Sequence, residues 1–99
     1  MRPLYLACHT GKVDVVSYLL ELGADPLVAR TSEATCLHVC AEKNFKEICR
    51  LLIANGKKAL LYYQDGEGNT PLHIAADFDR PEIAEIIVTA AEQFELEHL

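Results

Sequence analysis

Thr70-Pro71-Leu72-His73-Ile74-Ala75-Ala76 decides how the rest of the chain is read. A threonine before a proline marks a helix start. Its hydroxyl can accept from the unpaired N–H groups of the first turn, and proline at the first helical position gives up no hydrogen bond it would have made. Moving outward, the same pattern recurs as Thr35-Cys36-Leu37-His38-Val39-Cys40-Ala41 and as Arg2-Pro3-Leu4-Tyr5-Leu6-Ala7-Cys8, at spacings of 35 and 33 residues. The residues after each copy repeat as well. Gly11, Asn44 and Asp79 fall at one position, Val15-Val16, Ile48-Cys49 and Ile83-Ala84 at the next, and then Tyr18-Leu19-Leu20, Leu51-Leu52-Ile53 and Ile86-Ile87-Val88.

A period of about 33 residues with a Thr-Pro-Leu-His helix start resembles the ankyrin repeat, and the resemblance runs from end to end of the chain. It implies an all-α fold: an ankyrin-repeat solenoid of stacked antiparallel helix pairs joined by β-hairpin-like fingers. One domain, 1–99, then divides into repeats of approximately 1–29, 30–64 and 65–97. Within the second helices, residues 15, 16, 19 and 20, with 48, 49, 52, 53 and 83, 84, 87, 88, have the i, i+1, i+4, i+5 spacing of a buried face.

Composition sets the outer bounds. Ninety-nine residues, 51% of them hydrophobic and 24% charged, suit one small folded domain. A net charge of −6 argues against nucleic acid and against an acidic lipid surface, both of which draw affinity from basic patches. No apolar run approaches the ~20 residues of a membrane span, and no secretory leader is visible. Cys8, Cys36, Cys40 and Cys49 occupy small, inward repeat positions and lack the spacing of a disulfide framework. Reduced thiols in an intracellular protein, cytoplasmic or nuclear, are therefore expected.

Taken in order, Gly11 should form the left-handed corner of the first helix pair and Gly23 should end its second helix. No finger precedes this pair, so the start reads either as an internal piece of a longer array or as an N-terminal cap over Arg2 to Thr10; Leu4, Tyr5 and Leu6 stand side by side where a cap would be polar, which favours the internal piece. In the finger over 27–34, Arg30 and Glu33 replace the Asp and Gly that the family resemblance implies, which leaves its tight turn in question. The linker from Gly56 to Gln64 is two residues longer than its counterpart. There Leu60 and Leu61 should pack back on the helices, while Tyr62 and Tyr63 read equally as partly covered linker or as an aromatic patch for a partner. Asp65-Gly66-Glu67-Gly68-Asn69 reads as a regular finger, with both glycines supplying positive φ. Pro81 should open the last helix, which should run through Glu92 or Glu95 and turn Glu82, Glu85, Thr89, Glu92 and Glu95 outward, the polar face of a terminal repeat.

No catalytic constellation is visible, and the chain is read as no enzyme: there is no nucleophile elbow, phosphate loop or dinucleotide fingerprint. Cys36, His38 and Cys40 tempt a zinc reading, but on a helix His38 lies about 200° round from Cys36, and no C-x₂-C pair exists. No metal or cofactor is expected. His38 and His73 recur at one repeat position, which marks a scaffold role, since a catalytic residue need occur once. The family resemblance implies that this histidine ties the helix start to a neighbouring finger, and Tyr5 replaces it in the first repeat.

Where the copies disagree, recognition is expected. His9, Glu42 and Asp77 share one outward position, with Lys43 and Phe78 directly after the last two. An exposed Phe beside a groove is more informative than an exposed Leu. Together with Thr31, Glu67 and Asn69 of the fingers, and Tyr62 and Tyr63 off the groove, these are the candidate partner-binding residues. The expected partner is a protein or peptide of basic or mixed charge. The chain itself should be a monomer or part of a longer array, and the alternative is a recruiting or regulatory fragment of a larger enzyme or channel.

Overall fold

The structure, a computed structural model, describes residues 3–27, 34–56 and 58–97. Helices α1 (Pro3–Thr10) and α2 (Val13–Glu21) form the first pair, and α3 (Cys36–Lys43) and α4 (Lys46–Asn55) the second. A short helix α5 (Lys58–Tyr62) precedes the third pair, α6 (Pro71–Asp77) and α7 (Pro81–Glu97). First helices stack as α1 on α3 on α6, and second helices as α2 on α4 on α7. This is the all-α solenoid of stacked pairs that the repeat pattern implies, and no strand occurs among the described residues.

Helix starts obey the heptapeptide. Thr35 and Thr70 are both extended N-caps, and each closes a reciprocal box with the histidine three residues on. Thr70 Oγ1 accepts from the His73 N–H, while His73 Nδ1 accepts from the Thr70 N–H at 3.1 Å. Two backbone donors that a helix start leaves open are thus satisfied, a contribution of about 1 kcal/mol per cap. At the corners, Gly11, Asn44 and Asp79 all take left-handed φ, at 75°, 63° and 55°. Space also matters at Gly11: a Cβ there would come within 3.0 Å of the Phe45 ring of the next repeat. Pro81 opens α7, which extends past the expected end to Glu97.

Burial along the repeats separates two faces of each pair. Leu4 and Leu37 are buried, whereas their counterpart Leu72 is exposed; Leu20 is buried, Ile53 half-buried, and their counterpart Val88 exposed. These positions are covered by whatever repeat comes next. Conversely, Val15 is 47% exposed while Ile48 and Ile83 are buried, so this position packs on the preceding repeat. The expected inward set is therefore corrected at Val15 and Val88, because one helix stripe serves two different neighbours and an outermost pair covers only one side.

The long linker departs from expectation in kind. Rather than crossing as plain coil, Lys58–Tyr62 makes a turn and a half of helix, α5, that packs on α6 and α7. Its Leu60 and Leu61 are buried as expected, and Gly56 is pressed between Leu60 and the Leu52 carbonyl with no room for a Cβ. The finger at 65–69 is a turn without strands. Asp65 N–H donates to the Asn69 carbonyl and Gly68 N–H to the Asp65 carbonyl, each at 2.9 Å. Of its two glycines only Gly68 has a positive φ, 82°. Residues 28–33 of the first finger, with Arg30, Thr31 and Glu33, lie outside the described residues.

Candidate functional site

Stacking α1, α3 and α6 brings the C-terminal ends of the three first helices into register. His9, Glu42, Lys43, Asp77 and Phe78 are all exposed there. His9 stacks its ring on Tyr5, with centroids 6.4 Å apart, so the first-repeat tyrosine supports an exposed residue of the site. Phe78 caps α6, its N–H donating to the Ile74 carbonyl at 3.0 Å, and its side chain is 41% exposed. Its backbone is fixed while its ring meets water.

Arg80, which the sequence pattern does not single out, locks this register. Its Nε and Nη2 donate to the Glu42 carbonyl at 3.2 and 3.1 Å, tying the corner of the third pair to the end of α3. A charged donor satisfies one of the last carbonyls of that helix, where positive charge is favoured. Repeat comparison offers no hint of it, since the counterparts are Phe45 and Lys12.

The finger contributes less side-chain surface than expected. Asp65 carries the turn: one carboxylate oxygen accepts from the N–H groups of Glu67 and Asn69, both at 2.9 Å. Desolvation pulls the other way, but these two donors hold the Asp65 carboxyl below the usual carboxylate range. Glu67 is exposed, while Asn69 is half-buried and its backbone carbonyl is committed to His38. Thr31 lies outside the described residues.

His38 is a latch between repeats, the role that the resemblance implies. Its Nδ1 accepts from the Thr35 N–H at 3.2 Å and lies 2.8 Å from Thr35 Oγ1, which assigns the proton to Nε2. That N–H then donates to the Asn69 carbonyl at 2.7 Å. Burial pushes the ring's pKa below its ordinary value, outweighing the Asn69 carbonyl and the nearby Asp65 carboxylate. His73 repeats the cap but, among the described residues, its Nε2 has no partner.

The two tyrosines part company. Tyr63 is half-buried and meets the edge of the His38 ring at 6.4 Å between centroids. Tyr62 is 48% exposed, with Lys58 Nζ 5.9 Å from its ring centroid. They therefore do not form one patch.

All four cysteines are buried and free. The Cys36 and Cys40 thiols are within hydrogen-bonding reach of Cys8, and Cys49 of Cys40. Hydrogen bonds from Cys36 and then Cys40 hold Cys8 below the usual thiol range, while the contact with Cys8, followed by burial, pushes Cys36 above it. Cys8, Cys40 and Cys49 thereby fill space that Ala76, Ala75 and Ala84 fill in the third repeat, and Cys36 stands where Pro71 does. Among the described residues, no group of three or more His, Cys, Asp or Glu has the geometry to hold a metal ion. No helix of the described residues is long and apolar enough to cross a membrane.

Comparison with known proteins agrees with this architecture. A profile described as ankyrin repeats (3 copies) matches residues 4–97. Among curated proteins, the chain is 34% identical over 92 residues to the nuclear factor NF-kappa-B p105 subunit of Rattus norvegicus, covering 92% of this chain and 10% of that protein. It is 33% identical over 85 residues to the protein fem-1 homolog A-like of Mus musculus, covering 86% of this chain and 12% of that one. A putative E3 ubiquitin-protein ligase, XBAT31 of Arabidopsis thaliana, is 28% identical over 97 residues, covering 87% of this chain and 21% of that one. The chain thus spans a small part of each of these relatives. With three copies of the motif, the stacked pairs and the His38 latch all in place, the chain belongs to the ankyrin-repeat family.

Proposed function

We propose that the chain binds a protein segment of basic or mixed charge along the face made by the ends of α1, α3 and α6. The observation that carries this reading is Phe78, a large apolar ring held in water on a backbone that its own cap fixes, next to Asp77. An exposed aromatic flanked by acids suits a segment that offers both an apolar side chain and a lysine or arginine. Glu42, Glu67 and the net charge of −6 extend the same preference. Arg80 supports it by holding the surface in one shape, so that little ordering cost falls on binding. Ankyrin repeats serve generally as protein-interaction modules. In this reading the domain does no chemistry itself and works inside the cell, where its buried thiols stay reduced.

A second reading is favoured by the small share of each relative that the chain covers: the repeats recruit a substrate to, or regulate, a longer protein. Both readings need the same face. The test compares proteins captured by the wild-type chain with those captured by Phe78→Ala and Asp77→Lys. Loss of a common set of partners in both variants is the expected result. Unchanged capture by both would remove this face from consideration.

A further inference from the structure

Asn55 and Gly56 end the second helix pair with an asparagine-glycine sequence that neither other repeat shares. The counterpart of Gly56 in the first repeat is Gly23, which follows Leu22 and takes a φ of 92°, whereas Gly56 has a φ of −99° and needs no glycine for its backbone. It is glycine for want of space: a Cβ would stand 2.8 Å from both the Leu52 carbonyl oxygen and Leu60 Cδ2. Helix α5 thus fixes a residue without a side chain directly after an exposed asparagine. That order has a chemistry of its own, because the asparagine amide lies one five-membered ring from the next backbone nitrogen, and a missing Cβ leaves that nitrogen unhindered. The chain has two other asparagines, Asn44 and Asn69, and both are guarded. Phe45 N–H, after Asn44, donates to the Cys40 carbonyl at 2.9 Å, and Thr70 N–H, after Asn69, to His73 Nδ1 at 3.1 Å. Gly56 N–H reaches the Ile53 carbonyl only at 3.4 Å, a long bond at a helix end, where the ladder frays. Asn44 and Asn69 are also half-buried, whereas Asn55 is held by one exposed bond, from its Nδ2 to the Leu51 carbonyl at 2.8 Å.

We propose that Asn55-Gly56 is a self-modification site, where the asparagine deamidates without an enzyme and the product loosens α5. The Gly56 N–H gives its proton to solvent and the nitrogen attacks Asn55 Cγ. The Cγ–Nδ2 bond then breaks as the amide takes up a proton and leaves as ammonia. Water adds to one of the two carbonyls of the resulting five-membered imide. Cleavage on the Cγ side leaves an aspartate; cleavage of the main-chain bond leaves an isoaspartate, whose chain runs through Cγ and is one methylene longer. The step is redox-neutral, with one water consumed and one ammonia released. Both products are ill placed. The new carboxylate falls among the last carbonyls of α4, where negative charge is disfavoured. The isoaspartate also displaces Gly56, which has no spare room between the Leu52 carbonyl and Leu60. Leu60 is buried and anchors α5, which packs on α6 and α7, so the displacement passes to that helix.

The test ages the intact chain in neutral buffer and follows each asparagine by peptide mapping with mass spectrometry. Asn55 should convert at least about tenfold faster than Asn44 or Asn69, a barrier lower by about 1.4 kcal/mol. Its rate should rise about tenfold per pH unit, because the attacking nitrogen must first lose its proton. Hydrogen exchange across α5 should be at least about tenfold faster in the isoaspartate form than in the fresh chain. Asn55→Gln, whose ring would be six-membered, should stop the reaction and keep α5 protected through the same ageing. The Asn55 side chain is exposed, so this variant keeps the fold. Equal conversion of the three asparagines, no conversion at Asn55, a rate flat with pH, or an isoaspartate form whose α5 is as protected as in the fresh chain would each overturn the proposal.

Discussion

The second and third helix pairs begin with nearly the same heptapeptide, and the molecule treats them differently. Leu37 is wholly buried and Leu72 is 37% exposed. His38 reaches across to Asn69, and among the described residues His73 reaches no further than its own cap. Same side chains, same dihedrals, different neighbours: what a repeat residue contributes is set by the repeat beside it, as expected for a fold whose stability is a sum over adjacent interfaces.

The largest effect that would break this comparison is an equal cost of truncating the two leucines. Leu37→Ala should destabilise the chain by about 3 kcal/mol in urea unfolding, and Leu72→Ala by less than about 1 kcal/mol. Next come the histidines. His38→Ala strands the Thr35 N–H, leaves the Asn69 carbonyl with the Asp65 N–H alone, and should cost about 2 kcal/mol, against about 1 kcal/mol for His73→Ala, which loses only a cap partner. Differential scanning calorimetry on the pair of variants checks this.

A pH titration sharpens the same contrast. The folded state holds the His38 pKa below the ordinary value of 6.5, so the unfolded chain takes up the proton first. The resulting stability is fully present above that ordinary value and declines as pH falls below it towards the folded-state pKa. His38→Gln should flatten this part of the stability profile, and His38 C–H shifts in NMR should report a midpoint below 6.5. Two smaller effects concern the ends of the first helices. Arg80→Ala should cost about 1 kcal/mol by losing two charge-assisted bonds at a partly exposed site. Phe78→Ala should change stability by less than about 0.5 kcal/mol in the same assay, as expected for a side chain that packs on little.

The fold is readable because repetition averages out local ambiguity. Gly11, Asn44 and Asp79 look unrelated one at a time, but at one repeat position they spell a left-handed corner, and all three adopt it. Features that occur once are harder to read. Helix α5 consists of five residues, too short for a periodic signal, and tertiary burial of Leu60 and Leu61 forms it. Arg80 is silent in the sequence because its bond goes to a backbone carbonyl, and backbone leaves no trace in side-chain patterns. The exposure of Val15 and Val88 depends on which helix pairs lie beside them, a matter of assembly that no single helix stripe encodes. Among the candidate residues, exposure of His9, Glu42, Lys43, Asp77 and Phe78 is legible from position alone. The separation of Tyr62 from Tyr63 is not, because it turns on where α5 stops.

The ring of His38 has a consequence for time as well as for stability. The Thr35 amide proton is held by Nδ1 of a ring whose other nitrogen rests on Asn69, so water reaches that amide only when the ring swings away. Hydrogen exchange at this single amide therefore clocks how often the finger at 65–69 lifts from the second helix pair, and the His73-capped amide of Thr70, lacking such a lid, supplies the internal reference for how quickly an unlatched cap exchanges.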